Sequence, residues 1–313
     1  MSNPHPLIQN HRRILEGVIE VAIRLSSLVV ILALALIFIF IGIEALPIFT
    51  SAEVQQEVDL NQLFLSLREG FIWQPVSIVP KYSLLPLFLG TLKVTGVSLL
   101  LAIPIALGAA LFTAEFAPLW LREILKPVVE LLAGIPSVVV GFFTLMVIAT
   151  WFQDLYGFTF RLNAITAGFG LSLAIIPIVY TVAEDALLAV PDTYREGSYA
   201  LGATTWQTAW RVVLPSALPG VFAACVLGFG RAIGETMIVL MSSGNAATLS
   251  LDPTQSFRSF SATIAAELAE VVVGSPHYHV LFFIGAFLFL FTFLTNFAGH
   301  WYVQRLQRKL SGR

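Results

Sequence analysis

Residues 218–243 read LPGVFAACVLGFGRAIGETMIVLMSS. Only two charges, Arg231 and Glu235, interrupt this apolar run. A helix needs about 20 apolar residues to cross a hydrocarbon core of roughly 30 Å. The run is long enough, and five more segments meet the same requirement: Leu25–Phe49, Phe88–Phe112, Pro127–Phe152, Ile165–Val190 and Val280–Val303. These runs are continuous, whereas barrel strands would alternate. The sequence therefore predicts an all-α integral membrane protein with six transmembrane helices.

Composition agrees. Of 313 residues, 57% are hydrophobic and 12% charged, against roughly 25% charged in soluble domains. Mean hydropathy is +0.85. A net charge of -2 offers no basic field for nucleic acid. The single cysteine, Cys225, excludes an intrachain disulfide. His277 and His279 have ligand-like spacing, but just before an apolar run they read as an interfacial cluster, so no metal or other cofactor is expected. At the N-terminal end, HRRILEGVIEVAIR precedes an apolar run of about 25 residues, longer than the roughly 7–15 of a cleaved signal. A retained first span is expected.

Lysine and arginine orient the spans. With the N-terminus inside, the inner segments hold Arg12, Arg13, Arg24, Arg122, Lys126, Arg195, Arg211, Arg305, Arg308, Lys309 and Arg313. The outer segments hold Arg68, Lys81, Arg161 and Arg258. Both termini are expected in the cytoplasm. The chain then divides into an inner segment 1–24, a membrane domain 25–303 and a basic tail 304–313. Of the outer segments, 50–87 and 244–279 are sizeable. SATIAAELAEVVV places Ile264, Leu268 and Val271 on one helical face and Glu267 and Glu270 on another, which predicts a short helix along the outer surface. Pro104, Pro136 and Pro177 interrupt spans, either as kinks beside a pathway or as packed kinks.

The inner loop between the fourth and fifth spans carries Tyr194, Tyr199, Trp206 and Trp210. Asp192 can cap a helix from about Thr193, and Gly202 permits a turn. Thr204 or Thr205 can cap a second helix, stopped by Pro215. Large aromatics on a compact surface hairpin suggest docking.

An arginine in mid-span costs about 2.5–3.5 kcal/mol on insertion scales. Glu235, four residues on, falls on the same helical face and can pair with it. Gly228, Gly230 and Gly234 would let a helix or solute approach. The pair reads as a structural ion pair, a proton or cation relay, or an anion step. The last is favoured, because guanidinium offers planar bidentate donors to oxyanions at any pH. Glu235 would then neutralise Arg231 when the site is empty. Thr236 and Ser137 are weaker anion donors. Lys93, about five residues into its span, is expected to snorkel outward. Glu184 and Asp185 are expected to be solvated.

Glu196, Gly197, Ser198, Gly202, Val212, Leu214 and Pro215 match a pattern: E-A-A, three residues, G, nine residues, I, one residue, L-P. The departures are Gly197 and Ser198 for alanine and Val212 for isoleucine. The chain thereby resembles the permeases of ABC importers with their EAA loop, here 191–217. LLAGIPSVVVGFF (131–143) and GFGRAIGETMIV (228–239) are similar to the phosphate-importer permeases, the PstC-type more than the PstA-type. This resemblance covers about 85–300. A related oxyanion importer, of the sulfate or molybdate class, could share it.

It implies a type I importer permease fold in a bacterial inner membrane, with lipid around it. It further implies a PstA-type permease partner, two copies of a PstB-type ATPase, and an extracytoplasmic phosphate-binding protein. Glu196, Gly202, Val212, Leu214 and Pro215 would couple to the ATPase. Arg231 and Glu235 would serve translocation. The chain lacks G-x-x-x-x-G-K-[ST], and it shows no HExxH, serine-nucleophile motif or paired catalytic carboxylates. It is read as no enzyme in its own right. The rival is an ATP-independent anion channel or transporter.

Overall fold

The computed structural model describes residues 6–58, 60–64 and 71–310. Among the charges used for orientation, Arg68 and Arg313 lie outside these residues, as do the side chains of Arg12, Arg13 and Lys309.

Among the described residues, six helices are long and apolar enough to cross a membrane. Helix α1 is Pro6–Ala45, α2 Leu85–Glu115, α3 Leu119–Ala133, and α4 Ser137–Tyr156, with a π-helical turn at Thr144–Ile148. Helix α5 is Ala164–Leu188, α6 Asp192–Ala200, and α7 Thr205–Gly234, with a π-helical turn at Ala209–Val213. Helices α8 (Met237–Ser242), α9 (Phe260–Glu267) and α10 (Pro276–Leu310) follow. A short antiparallel hairpin pairs β1 (Trp73–Gln74) with β2 (Lys81–Tyr82).

The centre is α2 against α5, with α7 across both. Ala102, Ala106 and Ala110 recur every four residues along α2 and face Leu171, Ile175 and Val179 of α5; all six are buried in one cluster. In lipid, burial of apolar surface does not drive helices together, so close packing over small residues does. Gly228 shows this directly: a Cβ there would lie 2.6 Å from Val179 Cγ2 and 3.2 Å from Ile175 Cγ2. Gly230 faces the Asn296 side chain, while Gly234 has open space at its Cβ position.

A second cluster lies at the ends of the spans opposite the 191–217 loop. Ile48, Val54, Trp73, Tyr82, Phe260 and Val280 bring residues 48–58 and 73–87, α9 and the start of α10 into one folded cap. Helix α9 is therefore no surface helix: Phe260, Ser261, Ala262 and Thr263 are buried, and Ser259 caps it by accepting from Ala262 N–H. The expected faces do not form either: the helix ends at Glu267, Leu268 is exposed, and the Glu267 side chain is only 15% exposed, paired with Arg258 and His277.

Two predicted spans are interrupted. Pro127–Phe152 is not one helix: α3 ends at Ala133, and α4 starts at Ser137. Pro136 lacks an N–H and disfavours helical backbone at Ile135, so GIP becomes a break where a kink was the expectation. Leu218–Ser243 divides as well, at Glu235–Thr236. Pro104 and Pro177 stay inside continuous helices.

Candidate functional site: a broken span and an inner hairpin

The break in the fifth span changes the geometry of its charges. Helix α7 ends at Gly234, and Glu235 has extended backbone (φ -69°, ψ 128°). Arg231 thus sits in the last turn of a helix, where the sequence placed it mid-span on a helical face shared with Glu235. Its Nη2 still lies 3.6 Å from Glu235 Oε2. The two side chains differ in exposure: Arg231 is 46% exposed and Glu235 5%. Glu235 Oε1 accepts from Ile238 N–H at 3.4 Å, at the start of α8, and its backbone carbonyl accepts from Ser261 Oγ at 2.8 Å. A broken helix leaves carbonyls at one new end and N–H groups at the other. The cation is placed at the carbonyl end and the anion at the N–H end, as helix dipoles favour. The acid is anchored and the arginine is free to reach outward.

Arg231 reaches into two hollows. One, of about 470 Å³, is walled by Leu132, Ile135 and Val139 around the α3–α4 break and by Leu173, Ala174 and Pro177 of α5. The other, of about 500 Å³, lies between α7 and α10 and includes Asn296 and His300. The two broken spans touch, since a Cβ on Gly141 of α4 would lie 3.1 Å from the Ile238 Cα of α8. Among the described residues, Arg231 is the one charged residue lining the first hollow. Thr236 Oγ1 bonds the carbonyl of Gly234 instead of facing a hollow as a free donor.

The hairpin of loop 191–217 forms with corrections. Helix α6 begins at Asp192 directly after Pro191, and no side chain caps it. Gly202 makes the turn at φ +81°. Thr204 accepts from Gln207 N–H while the Gln207 side chain accepts from Thr204 N–H, a complete capping box. Pro215 does not stop the second helix. The π-helical turn at Ala209–Val213 loosens the backbone ahead of it, and α7 runs on into the membrane. Ser198 and Thr208 hydroxyls meet at 2.9 Å and tie the hairpin's arms. Tyr194, Tyr199, Leu201, Trp206 and Trp210 are all exposed. Glu196 and Gly202 face outward with them, while Val212, Leu214 and Pro215 are half-buried at the joint with the spans.

The family model for the binding-protein-dependent transport system inner membrane component matches residues 102–312. The chain belongs to this family. It is 35% identical over 268 residues to a protein described as probable ABC transporter permease protein YqgH of Bacillus subtilis, covering 86% of this chain and 84% of that one. It is 34% identical to the phosphate transport system permease protein PstC of Xylella fastidiosa strain Temecula1, over 76% and 78% of the two chains. It is 36% identical to PstC 1 of Mycobacterium bovis, over 72% and 74%. Among solved structures, a bacterial alginate ABC transporter superposes with TM-score 0.62 at 15% identity, covering 94% of this chain and 99% of that one. The inward-facing MetNI methionine transporter gives 0.56 at 21%, over 69% and 93%. The fold is that of ABC-importer permeases, and the protein is a multi-pass membrane permease.

Several polar residues of this permease are placed differently from expectation. Lys93 does not snorkel: its Nζ donates to the carbonyls of Ser250 and Asp252, both at 3.0 Å, and lies over the Phe257 ring. It is a strut between α2 and the loop at 250–252. Asp185 is exposed and bonds Lys126 at 2.7 Å, but Glu184 is fully buried, with Lys126 Nζ at 3.4 Å. Neither Glu184 oxygen has a hydrogen-bond partner among the described residues. The two histidines are both tied to acids: His277 Nε2 lies 2.9 Å from Glu267 Oε2, and His279 Nδ1 lies 3.9 Å from Glu44 Oε2 and 2.7 Å from the Glu44 carbonyl.

Two constellations had no signal in the sequence, because their members are far apart along it. Glu267 also meets Arg258 at 2.7 Å and accepts from the Trp73 indole at 3.2 Å. Burial pushes its pKa up, but the hydrogen bond with His277, the Arg258 charge and the Trp73 bond together hold it below the ordinary value. At the base of the hairpin Arg195 pairs with Glu115 at 2.8 Å. That hydrogen bond raises the guanidinium pKa, against the effect of burial.

Proposed function

We propose that this chain is a transmembrane subunit of an ATP-driven inorganic phosphate importer. One observation carries the reading: a half-exposed guanidinium, its acid partner buried and anchored, opens into a hollow where two interrupted spans meet. Relatives at 34–36% identity are named as phosphate transport permeases, which supports the same substrate. Arg231 offers a planar set of donors to phosphate oxygens. Glu235 at 3.6 Å limits the positive field. A conducting site must let its ion leave, and the fixed carboxylate serves that release.

The partners follow from the same reading. A PstA-type permease completes the pathway, two PstB-type ATPases bind below, and an extracytoplasmic phosphate-binding protein delivers the anion. Both termini lie in the cytoplasm, with 25–303 as the membrane domain between the inner segment 1–24 and the tail 304–313. Glu196, Gly202 and the exposed aromatics of loop 191–217 meet one ATPase, and Val212, Leu214 and Pro215 carry its closure into α7.

Phosphate uptake into proteoliposomes holding the four-component complex tests this, with sulfate, molybdate and arsenate as competitors. Uptake that needs ATP and is blocked by phosphate analogues supports the reading. Uptake by the chain alone, without ATP, would make it a channel or secondary transporter. Uptake of sulfate or molybdate in preference to phosphate would move it to another oxyanion.

A further inference from the structure

Three elements end at the guanidinium of Arg195. It belongs to α6, the first arm of the inner hairpin. Its Nε donates to Glu115 Oε1 at 3.2 Å and Oε2 at 3.4 Å, and its Nη2 donates to Oε1 at 2.8 Å. Glu115 is the last residue of α2, and its side chain is 3% exposed. Nη2 also donates to the Leu187 carbonyl at 3.0 Å, and Nη1 to the Val190 carbonyl at 2.6 Å. Those oxygens close the C-terminal end of α5. A last bond runs from Nη1 to Asp192 Oδ1 at 3.1 Å, at the base of α6. All three guanidinium nitrogens are committed, in a fork that an ammonium cannot reproduce.

The placement matters because of what lies behind it. The hairpin follows α5 through only residues 189–191, a connection that would otherwise act as a pivot. Arg195 bridges that pivot. It also grips α2, which has no chain connection to the hairpin. Arg122 fixes the same end of α2, donating to the Thr113 and Ala114 carbonyls at 3.0 and 2.7 Å. Helices α2 and α5 are packed along their length, and α5 walls the hollow that Arg231 enters.

We propose that the Arg195–Glu115 joint transmits movement of the inner hairpin to α2 and α5 as one body, so that Arg195 and Glu115 are positioning residues for transport. The proposal rests on the docking reading of the hairpin given above. Without the joint, the hairpin swings on residues 189–191 and the hollow beside α5 does not follow.

The test uses the complete complex with Arg195→Met, Arg195→Lys and Glu115→Gln, in a chain where Cys225 is serine. Four quantities are compared: ATPase co-purification, basal hydrolysis, its stimulation by the phosphate-loaded binding protein, and uptake. Spin labels on cysteines at exposed positions 201, on the hairpin, and 100, on α2, report movement on ATP addition. In the variants the ATPase still co-purifies and basal hydrolysis persists. Stimulation and uptake fall by about fivefold or more, the scale of a lost coupling between sites. The label at 201 responds to ATP and the label at 100 no longer does, a separation that a purely structural role would not produce. The proposal is overturned if Arg195→Met keeps stimulation, uptake and both label responses. It is also overturned if even Glu115→Gln abolishes ATPase recruitment, since the pair would then only build the dock. A wild-type chain that recruits no ATPase would remove the docking reading first, and this proposal with it.

Discussion

At the scale of single residues, Arg231 and Glu235 are unequal partners. Glu235 is held by α8 through its carboxylate and by α9 through its carbonyl, while among the described residues the arginine's one bond is to the acid. Arg231→Lys keeps the charge and loses the fork, so we expect assembly to survive and uptake to fall about tenfold or more, the loss of one charge-assisted bond. The double change Arg231→Met with Glu235→Gln separates roles. A buried pair often gains little over apolar packing; a purely architectural pair would therefore leave uptake near wild type, whereas an anion step leaves an assembled complex that hydrolyses ATP and moves no phosphate. The glycines give a second contrast. Gly228→Ala drives a Cβ into Val179 and should destabilise by about 1–3 kcal/mol. Gly234→Ala meets no atom within 4 Å and should assemble normally. Thermal stability of the purified chain in detergent measures both. The apolar run announced that Arg231 needed a partner, and named the right one. It did not show that the helix ends between them, because Gly234, Glu235 and Thr236 are each tolerated inside helices, and the break is held by Ser261, 26 residues further on.

The inner hairpin was the most legible element. Gly202 and Thr204 behave as their chemistry dictates: one adopts φ +81° and the other builds a capping box. The aromatics are exposed, as a docking face requires. Where prediction slipped, the cause was a proline. Pro215 was expected to stop a helix but sits behind a π-helical turn that accommodates it, whereas Pro136 was expected to kink one and divides it. A proline removes a hydrogen bond in either case; what the neighbouring helices supply decides the outcome, and that is not local information. Gly202→Asp tests the element. The position is open and exposed, so aspartate fits, at a backbone cost of about 1–2 kcal/mol for the left-handed region. We expect an inserted chain whose complex hydrolyses ATP without moving phosphate. Gly202→Asn bears the same backbone cost without the charge and should keep transport. Coupled transport by the aspartate variant at wild-type level would exclude docking through this turn.

For the whole molecule, the six-span plan was readable from hydropathy, while the folded outer cap was not. Its lock is Glu267 with Arg258, His277 and Trp73, drawn from the first outer loop, the second and α10. The carboxyl is held below its ordinary pKa, so its stabilisation is in full force above about pH 4.3, the unfolded value, and is lost as pH falls through the folded one. Hydrogen-exchange protection factors of residues 71–82 and 260–276, corrected for intrinsic exchange, should therefore fall on acidification. Glu267→Gln should exchange faster at neutral pH and respond less to acid. Topology is checked by an impermeant thiol reagent in sealed cells: cysteines at exposed positions 76 and 251 should label and one at 201 should not. One further consequence concerns time. Helix α1 is exposed on nearly all sides and packs chiefly against α10, whose first turn lies some 230 residues later in the chain. At about 5–20 residues per second of synthesis, that is on the order of ten seconds or more. During this interval α1 has lipid alone as its neighbour. Its side chains suit that wait: from Leu28 to Ile43 it carries no ionisable residue, and its Ser26 and Ser27 hydroxyls are already satisfied by its own carbonyls. A ribosome-stalled nascent chain ending near residue 100 should hold α1 in the membrane against alkaline extraction, before any other span has given it a seat.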